Sequence, residues 1–444
     1  MKKRFLLLAA ALALAGCATQ APAPAPVASS EAAPQSMACP KDIPAGTRCL
    51  TGRDSAGAFY LIAMPAQWNG TLVLHAHGGP TLGPPKLERS IEDLERWAIT
   101  VKAGYAWAGS TFHQGGVAVH SAAEDTERLR QIFVQHVAKP KFTILHGQSW
   151  GASVAAVGAS VYTQGKPYDA VLLTSGVLAG GSQAYDFRLD LRVIYEALCG
   201  NHPRADEAQY PLWMGLPADS KMTTKDLAAR VNACLALDKP AAQRTPEQQR
   251  KVQTIVDVVK IPASSIQSHL NWATFSFQDI AQKRSGGRSV FGNTGVQYRG
   301  SPDDAALNAK VLRYVADPQA KAAFAADTDP DGKIPVPVLT VHAIDDPTAF
   351  VEMDDTFRHT MERAGTADHL VQTFTADHVH SYLSDPVYPT LFAALQSWAQ
   401  GGPKPTPASV AAQCQQMEAS FGSGCRFRPD YHPQPLATRV PPRP

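Results

Sequence analysis

The chain has 444 residues, with 41 Lys and Arg against 39 Asp and Glu, and a formal net charge of +2. This length fits one large domain, or one domain that carries an insertion. The balanced charge, without a basic cluster in the body of the chain, argues against nucleic acid as a partner. Composition indicates neither a substrate nor an oligomeric state, so the function has to be sought in individual motifs.

The segment 1–17 has the pattern of an export signal rather than of a folded element. Basic residues at 2–4 precede an apolar stretch over 5–14, which is too short to span a bilayer as a helix. The stretch ends in Leu-Ala-Gly-Cys at 14–17, which resembles a bacterial lipobox. The resemblance implies cleavage before Cys17 and acylation of that cysteine, and an ordinary signal peptide cleaved nearby is the alternative.

The residues after Cys17 indicate where such a protein would reside. Ala18 would be the second residue of the mature chain, which resembles lipoproteins that are forwarded to the outer membrane. The segment 18–36 is rich in Ala and Pro and is predicted to be an extended tether. We therefore expect a cell-envelope protein, held by an N-terminal lipid anchor in the outer membrane and facing the periplasm or the surface.

Cysteine usage agrees with export. The chain has 7 cysteines, and six remain once Cys17 is set aside as the lipid site. An even number in an oxidising compartment favours disulfides, and the absence of a C-x-x-C pattern disfavours a zinc or redox site. The six fall in three local pairs that each bracket one segment, so the predicted disulfides are Cys39–Cys49, Cys199–Cys234 and Cys414–Cys425.

The segment 37–179 alternates between apolar runs and helical patterns, which predicts a mostly parallel sheet with helical crossovers. An Asn-Gly turn at 69–70 separates the first two runs and predicts a hairpin between them. The predicted strands cover 59–64, 71–75, 105–111, 142–146 and 169–175, and the predicted helices cover 89–103 and 124–137.

The alternation stops over 180–326, where helix-like runs and loops predict a mainly helical lid inserted after the sixth strand. The strand–helix pattern returns over 327–400 and completes the core. The segment 401–444 is a Pro-rich tail that contains one of the predicted disulfides and is expected to wrap over the surface.

A strand–turn–helix pattern in the core has the features of a nucleophile elbow. The apolar run 142–145 is followed by Gly-Gln-Ser-Trp-Gly at 147–151 and then by an apolar helical pattern. This is the G-x-S-x-G motif, in which glycines flank the serine because a Cβ at either position would collide with the adjacent strand or helix. The motif predicts Ser149 as a nucleophile at the N-terminal end of the following helix.

A serine nucleophile needs a base to take its proton, and the base needs a carboxylate to orient it. In a sheet of this kind the acid follows a later strand and the histidine follows the last one. The strand that ends at His342 precedes Asp345 and Asp346, and the last strand precedes His378 and His380. All three parts of a triad therefore occur in order at the carboxyl ends of strands.

This arrangement resembles the α/β-hydrolase family over 59–398. The family's strand pattern before the acid is matched by Pro-Val-Leu at 337–339, and this register implies Asp346 as the acid. Ala343 stands where the family has glycine, which leaves Asp345 as the alternative.

The family also has a histidine shortly after the last strand and a tryptophan in the closing helix. Spacing from Trp398 and from the strand start at 370–372 implies His380 as the base, with His378 as the alternative. Neither histidine has the usual glycine before it.

The tetrahedral intermediate of acyl transfer needs two N–H donors aimed at its oxyanion. The family resemblance assigns one donor to Trp150, directly after the nucleophile. The other would come from the backbone of Gly78 or Gly79, within His-Gly-Gly-Pro at 77–80. His77 is expected to brace this loop and not to act as a base.

The chain resembles serine esterases of the family, and it also resembles proline iminopeptidases through its His-Gly-Gly-Pro and G-x-S-W-G patterns. Thr81 stands where those peptidases have glycine, and their amine-binding carboxylates cannot be identified here. No cysteines flank the serine and histidine as in tannase-like and feruloyl esterases. The prediction is carboxylic ester hydrolysis, with aminopeptidase as the alternative and a non-catalytic binding lipoprotein third. The substrate would be a small ester or a short peptide.

Two further patterns in the second half of the chain have no assigned role. Asp-x-Asp-x-Asp-Gly at 327–332 resembles the start of a calcium loop, but Val338 occupies the position of the bidentate Glu, so no metal and no cofactor is predicted. Arg188, Asp190 and Arg192 alternate along an apolar segment and form either a buried ion-pair network or a solvated face.

Overall fold

One nine-stranded sheet organises residues 31–443, which are the residues that the computed structural model describes. Its strand order is β1-β2-β3-β5-β4-β6-β7-β8-β9. The strands are β1 Gln35–Met37, β2 Arg48–Arg53, β3 Phe59–Met64, β4 Thr71–Ala76, β5 Ala106–Ser110, β6 Phe142–Gln148, β7 Ala170–Thr174, β8 Val338–Ala343 and β9 Leu370–Thr375.

The sheet is parallel from β5 through β4 to β9, and antiparallel where β1, β2 and β3 extend it. Every residue of β4, β5, β6, β7 and β8 is buried. Continuous apolar runs are typical of parallel strands, because crossover helices cover both faces of the sheet. The predicted α/β class with a mostly parallel sheet is confirmed.

The predicted hairpin between β3 and β4 is wrong. β5 lies between these strands, pairs antiparallel with β3 and parallel with β4. The Asn-Gly turn instead carries the chain across the end of β5, where the Asn69 N–H donates to the Gly104 carbonyl at 3.0 Å. The Asn-Gly signal reports only on the local turn. The strand pairing is decided by burial, because β5 is fully buried when it lies between β3 and β4.

Four helices lie in the first half of the core. The third precedes β6 in the chain, and the fourth follows it. The break between the first two falls at Trp97, which is fully buried. These helices are α1 Leu87–Arg96, α2 Ala98–Lys102, α3 Val119–His136 and α4 Trp150–Val161.

An inserted helical region, Gly181–Thr328, connects β7 to β8. It follows the seventh strand in chain order and not the sixth, because β1 and β2, which the sequence patterns did not predict, precede the five predicted strands of this part of the core. Two π-helical turns, Trp272–Ser276 and Ile280–Arg284, interrupt its central helical run. Its helices are α5 Gly181–Ala184, α6 Asp186–Cys199, α7 Thr224–Leu235, α8 Pro246–Val259, α9 Ile266–Asn271, α10 Phe277–Asp279, α11 Asp304–Lys310 and α12 Pro318–Thr328.

The second half of the core adds α13 Glu352–Ala364 and α14 Val387–Ala399, and the tail adds α15 Pro407–Phe421. Side chains of α1, α14 and α15 pack in one apolar cluster, and those of α3, α4 and α13 pack in another. The two clusters cover opposite faces of the sheet, which gives the three layers of the α/β-hydrolase fold.

Both ends of the described chain pack on the domain. Glu31, within the predicted tether, is buried and accepts hydrogen bonds from the backbone and side chain of Ser55. Beyond α15 the tail bridges to β9 through Thr375 and Phe427, and Arg443 then pairs with Asp190 of the inserted helical region at 2.9 Å. The tail therefore connects the core to that region. The predicted signal segment and Cys17 lie outside the described residues.

The three predicted disulfides are present, and each closes a local segment. The disulfides join Cys39 to Cys49, Cys199 to Cys234 and Cys414 to Cys425.

Within 31–443 no helix is long and apolar enough to cross a membrane.

Candidate active site

Ser149 lies in the turn between β6 and α4 with a φ of 55°, a backbone conformation that residues other than glycine rarely adopt. A Cβ on Gly147 would collide with the first turn of α4, at Gly151 and Ala152. A Cβ on Gly151 would collide with the carbonyl of Ala76, at the end of β4. The expected reason for both glycines is therefore confirmed, and the tight turn holds the serine at the carboxyl edge of the sheet.

A continuous chain of hydrogen bonds joins Ser149 to an acid through one histidine. The Ser149 hydroxyl lies 2.8 Å from His380 Nε2, and His380 Nδ1 lies 2.7 Å from Asp346 Oδ2. The other oxygen of Asp346 accepts from the N–H groups of Thr348 and Ala349 at 2.7 and 3.0 Å. The carboxylate is thus fixed on one side by backbone and presents its free oxygen to the ring.

The alternative acid and base also find each other, but away from the serine. His378 Nδ1 lies 3.0 Å from Asp345 Oδ2, and the two side chains are 78% and 60% exposed. Neither hydrogen-bonds to Ser149. Of the four residues that follow β8 and β9, the structure brings Asp346 and His380 to the serine and leaves Asp345 and His378 as a surface pair.

A second histidine, His342 at the end of β8, lies behind Asp346. Its Nδ1 is 2.6 Å from Asp354 Oδ2, and its Nε2 is 3.0 Å from the Ala349 carbonyl and 3.3 Å from Asp346 Oδ2. Both ring nitrogens therefore face acceptors, and a neutral imidazole has only one N–H to donate. The geometry requires a protonated, buried ring between two carboxylates.

The charges of this network shift the pKa values of its members. Burial alone would lower the pKa of His342, but Asp354 and Asp346 outweigh burial and raise it to about 10. Burial alone would raise the pKa of Asp346, but His380 and His342 hold it well below its usual range. Asp346 is therefore ionised near neutral pH. His342 was not among the predicted site residues. Its only signal in the sequence is its position near the end of a buried strand, four residues before Asp346.

The loop after β4 and the start of α4 leave backbone N–H groups beside Ser149 without acceptors in the described part of the chain. Within 31–443, the N–H groups of Gly78, Gly79 and Trp150 donate to no acceptor. The Gly78 carbonyl accepts from Arg89 Nη2 at 2.7 Å, and the N–H of a trans peptide points opposite its carbonyl. The hydrogen bond from Arg89 therefore holds this peptide so that the Gly79 N–H points away from Arg89. Gly79 itself has a φ of +71°, which glycine adopts without strain.

His77 braces this loop, as expected. It is buried, stacks on Phe112 with ring centroids 4.3 Å apart, and places Nδ1 at 3.1 Å from the Gly78 carbonyl. Burial lowers the pKa of His77 to about 3, so the ring is neutral near neutral pH and has one N–H, which Nδ1 can donate to the Gly78 carbonyl.

A cavity of about 280 Å³ opens above Ser149, between the core and the inserted helical region. Its inner wall comes from the core, and the inserted region adds Tyr185, Arg188 and Trp272. Trp272 begins a π-helical turn, a local irregularity that often occurs at functional sites. Three arginines line the cavity, namely Arg89, Arg96 and Arg188, and within 31–443 no Asp or Glu does.

The acidic pattern at 327–332 supplies caps within the protein. Asp327 accepts from the backbone N–H groups of Val119 and His120, each at 3.2 Å, at the start of α3. Asp329 accepts from the backbone and the hydroxyl of Ser182. Asp327 thus fastens the end of the inserted helical region to the core, and Asp329 joins that end to the first helix of the region.

The alternating charges on α6 are buried, so the solvated-face interpretation is wrong. They do not pair with one another either. Asp190 accepts from Tyr298 at 2.6 Å and pairs with Arg443, and Arg192 donates to Thr274 at 2.6 Å. The third residue of the pattern, Arg188, lines the cavity.

No protein-family model and no curated protein matches this sequence. Among solved structures, the chain is similar to an esterase from Aspergillus oryzae, with 12% identity, a TM-score of 0.45 and 81% of each chain covered. It is also similar to feruloyl esterase B from Aspergillus oryzae, with 11% identity, a TM-score of 0.46, and 84% of this chain and 88% of that chain covered. Likeness this remote carries no information on activity.

Proposed function

We propose that the chain is a serine hydrolase that cleaves carboxylic esters through a covalent acyl-enzyme. The observation that supports this proposal is the hydrogen-bonded order Ser149–His380–Asp346 at the floor of a cavity. In this proposal the Ser149 hydroxyl attacks the ester carbonyl while His380 Nε2 takes its proton, and Asp346 stabilises the resulting imidazolium. His380 then gives the proton to the departing alcohol, and water releases the acid by the same steps in reverse.

The oxyanion of each tetrahedral intermediate would be held by backbone N–H groups. Trp150 begins α4, so its N–H lies at the positive end of the helix dipole, and Gly79 offers the second donor. Both N–H groups have no partner within 31–443. Donors of this kind are in place before the reaction and need no reorganisation as charge develops.

The aminopeptidase alternative is less well supported by the cavity. An N-terminal amine is a cation and needs an acidic or carbonyl partner, whereas the charged residues around Ser149 are arginines. The alternative of a binding protein without activity is disfavoured because Ser149, His380 and Asp346 are joined by hydrogen bonds beside backbone N–H groups that have no acceptor within 31–443.

Parallel assays of a 4-nitrophenyl ester and of proline 4-nitroanilide test the proposal. Ester turnover without anilide turnover supports it, and the reverse supports the aminopeptidase. A fluorophosphonate probe should label the parent enzyme and not the Ser149→Ala variant. Labelling of both, or turnover of neither substrate by a folded protein, contradicts the proposal.

We also propose that the enzyme is anchored to the outer membrane through an acylated Cys17. Mass spectrometry of the N-terminal peptide should find a diacylated or triacylated cysteine. A Cys17→Ser variant should leave the membrane fraction while its ester turnover stays unchanged, because Cys17 precedes the whole domain. A parent protein recovered unmodified from the soluble fraction would contradict the anchor.

A further inference from the structure

Arg188 differs from the other charged residues around the candidate active site. It belongs to α6, is only 4% exposed, and lines the same cavity as Ser149 and His380. Within 31–443 no carboxylate lies within ion-pair distance of its guanidinium, and no acceptor hydrogen-bonds to it. Its Nε is buried without a partner.

Aromatic rings, and not acceptors, hold the guanidinium in place. Its central carbon lies 4.4 Å from the ring centroid of Trp272, 4.6 Å from that of Phe187 and 5.2 Å from that of Tyr185. Stacking of this kind fixes the plane of a guanidinium and leaves its N–H groups free to donate. The side chain is therefore oriented but not neutralised.

Unlike Arg188, its charged neighbours on the same helix have hydrogen-bond partners at their terminal nitrogen or oxygen atoms. Arg192, one turn further on, donates to Thr274 and to the Gly215 carbonyl, and Asp190 pairs with Arg443. Arg89 in the cavity wall is paired as well, with Asp93 at 3.3 Å. Arg96, which also lines the cavity, is exposed to solvent. Because an unpaired buried charge is costly, a buried guanidinium that lines the cavity and has no acceptor within 31–443 points to a partner from outside the chain.

We propose that Arg188 is an anion subsite of this cavity and that the substrate is an ester that also carries a carboxylate. The proposal rests on the proposed ester hydrolysis. A guanidinium matches a carboxylate with two parallel hydrogen bonds, which a buried site strengthens. The small cavity places that carboxylate and the scissile ester in one compact molecule. Burial lowers the pKa of Arg188 to about 10, which leaves the side chain charged at neutral pH.

Pairs of esters that match in shape and differ in charge test the subsite in the unaltered enzyme. The first pair is 4-acetoxybenzoate and 4-acetoxybenzamide, which places the carboxylate on the alcohol side. The second is mono-4-nitrophenyl adipate and the corresponding primary amide, which places it on the acyl side. We expect kcat/KM to favour the anion by about ten-fold or more in one pair, mainly through KM.

Variants then assign the preference to the side chain. Arg188→Gln should lower the ratio of kcat/KM for the anionic ester to kcat/KM for the neutral ester to about one, and Arg188→Lys should keep part of the preference. Arg313→Gln is the matched control, because Arg313 also stacks on a tyrosine of the inserted helical region but donates to backbone carbonyls. This control should keep the full preference.

Inhibition offers a readout that does not depend on whether Arg188→Gln folds. Benzoate should inhibit the parent at least about ten-fold more strongly than benzamide, which has the same shape without the charge. Neutral esters hydrolysed with no preference in either pair, and equal inhibition by benzoate and benzamide, would overturn the subsite but not the hydrolase. No turnover of any ester would overturn the proposed function on which it rests.

Discussion

Two His–Asp pairs lie side by side at the carboxyl edge of the sheet, and only one of them is joined to a serine. His380 and Asp346 are 2.7 Å apart, and His378 and Asp345 are 3.0 Å apart, so distance within the pair does not separate them. Exposure does, since the Asp346 side chain is fully buried and that of Asp345 is 60% exposed. The surroundings of a pair, and not the pair itself, decide whether it can take part in chemistry.

The buried pair is supported on both sides. Backbone N–H groups hold one oxygen of Asp346, and His342 lies behind the other. In water an exposed ion pair contributes little, because solvent screens it and both side chains remain free to move. In the low dielectric of the core the same contacts hold Asp346 in place, so that it orients the ring of His380.

Removal of the nucleophile should have the largest effect on the buried pair's function. Ser149→Ala should lower kcat for a 4-nitrophenyl ester by about six orders of magnitude, as removal of a triad nucleophile does. Circular dichroism and thermal unfolding should be unchanged, because Gly147 and Gly151 continue to shape the turn. Residual turnover close to that of the parent would place the nucleophile elsewhere.

Changes to the base and the acid sharpen the comparison directly. His380→Ala and Asp346→Asn should each reduce kcat by about four orders of magnitude or more, because the base is lost or held in the wrong tautomer. The double variant should be little worse than the single ones, since the residues act as a unit. If the losses of the two single variants add up in the double variant, measured as kcat on one ester, His380 and Asp346 do not act as a unit.

Much of this edge could be predicted from local patterns. The G-x-S-x-G turn, the apolar strands and the order of serine, acid and histidine are all encoded over short stretches, so Ser149 could be assigned with its candidate partners. The choice between neighbouring residues, such as His378 and His380, came from a family resemblance. It depends on how the last loop turns inward, which single residues do not encode.

Features that depend on long-range pairing could not be predicted. The position of β5 between β3 and β4 is set by burial of whole strands, and the local Asn-Gly turn gave the wrong pairing. Arg188 appeared in the sequence as one of three alternating charges. Arg188 differs from the other two because nothing within 31–443 accepts its hydrogen bonds. This difference follows from the packing of α6 against Trp272, which the sequence does not show.

Because His342 lies behind Asp346 and has a raised pKa, the free energy of unfolding should depend on pH. The pKa of His342 is about 10 in the folded protein against 6.5 for a free histidine. Its charge therefore stabilises the fold fully below about pH 6.5, and this contribution is lost as the pH rises through about 10. Urea unfolding of the parent at pH 7, 8.5 and 10 should show a falling free energy of unfolding.

A variant assigns that loss to one residue. His342→Gln keeps an N–H donor without charge, so it should be less stable by about 3–5 kcal/mol at pH 7 and should lose less as the pH rises. The control is His269→Gln, because burial lowers the pKa of His269 to about 3 and the ring is neutral throughout this range. The cost of the control should be the same at pH 7 and pH 10. If the parent and His342→Gln lose stability in parallel, His342 is not charged in the fold.

The exposed pair should show the smallest effect of all. His378→Ala and Asp345→Asn should each leave kcat/KM for the ester within about two-fold of the parent, because both side chains face solvent and neither contacts Ser149. Each substitution is the same as its counterpart in the buried pair, so differences in outcome report the surroundings alone. A double variant at 345 and 378 should be as active as either single one, which stopped-flow or steady-state assays can resolve. If instead His378→Ala is inactive while His380→Ala turns over, the last loop places the other histidine over the serine in the working enzyme, and the buried pair is structural.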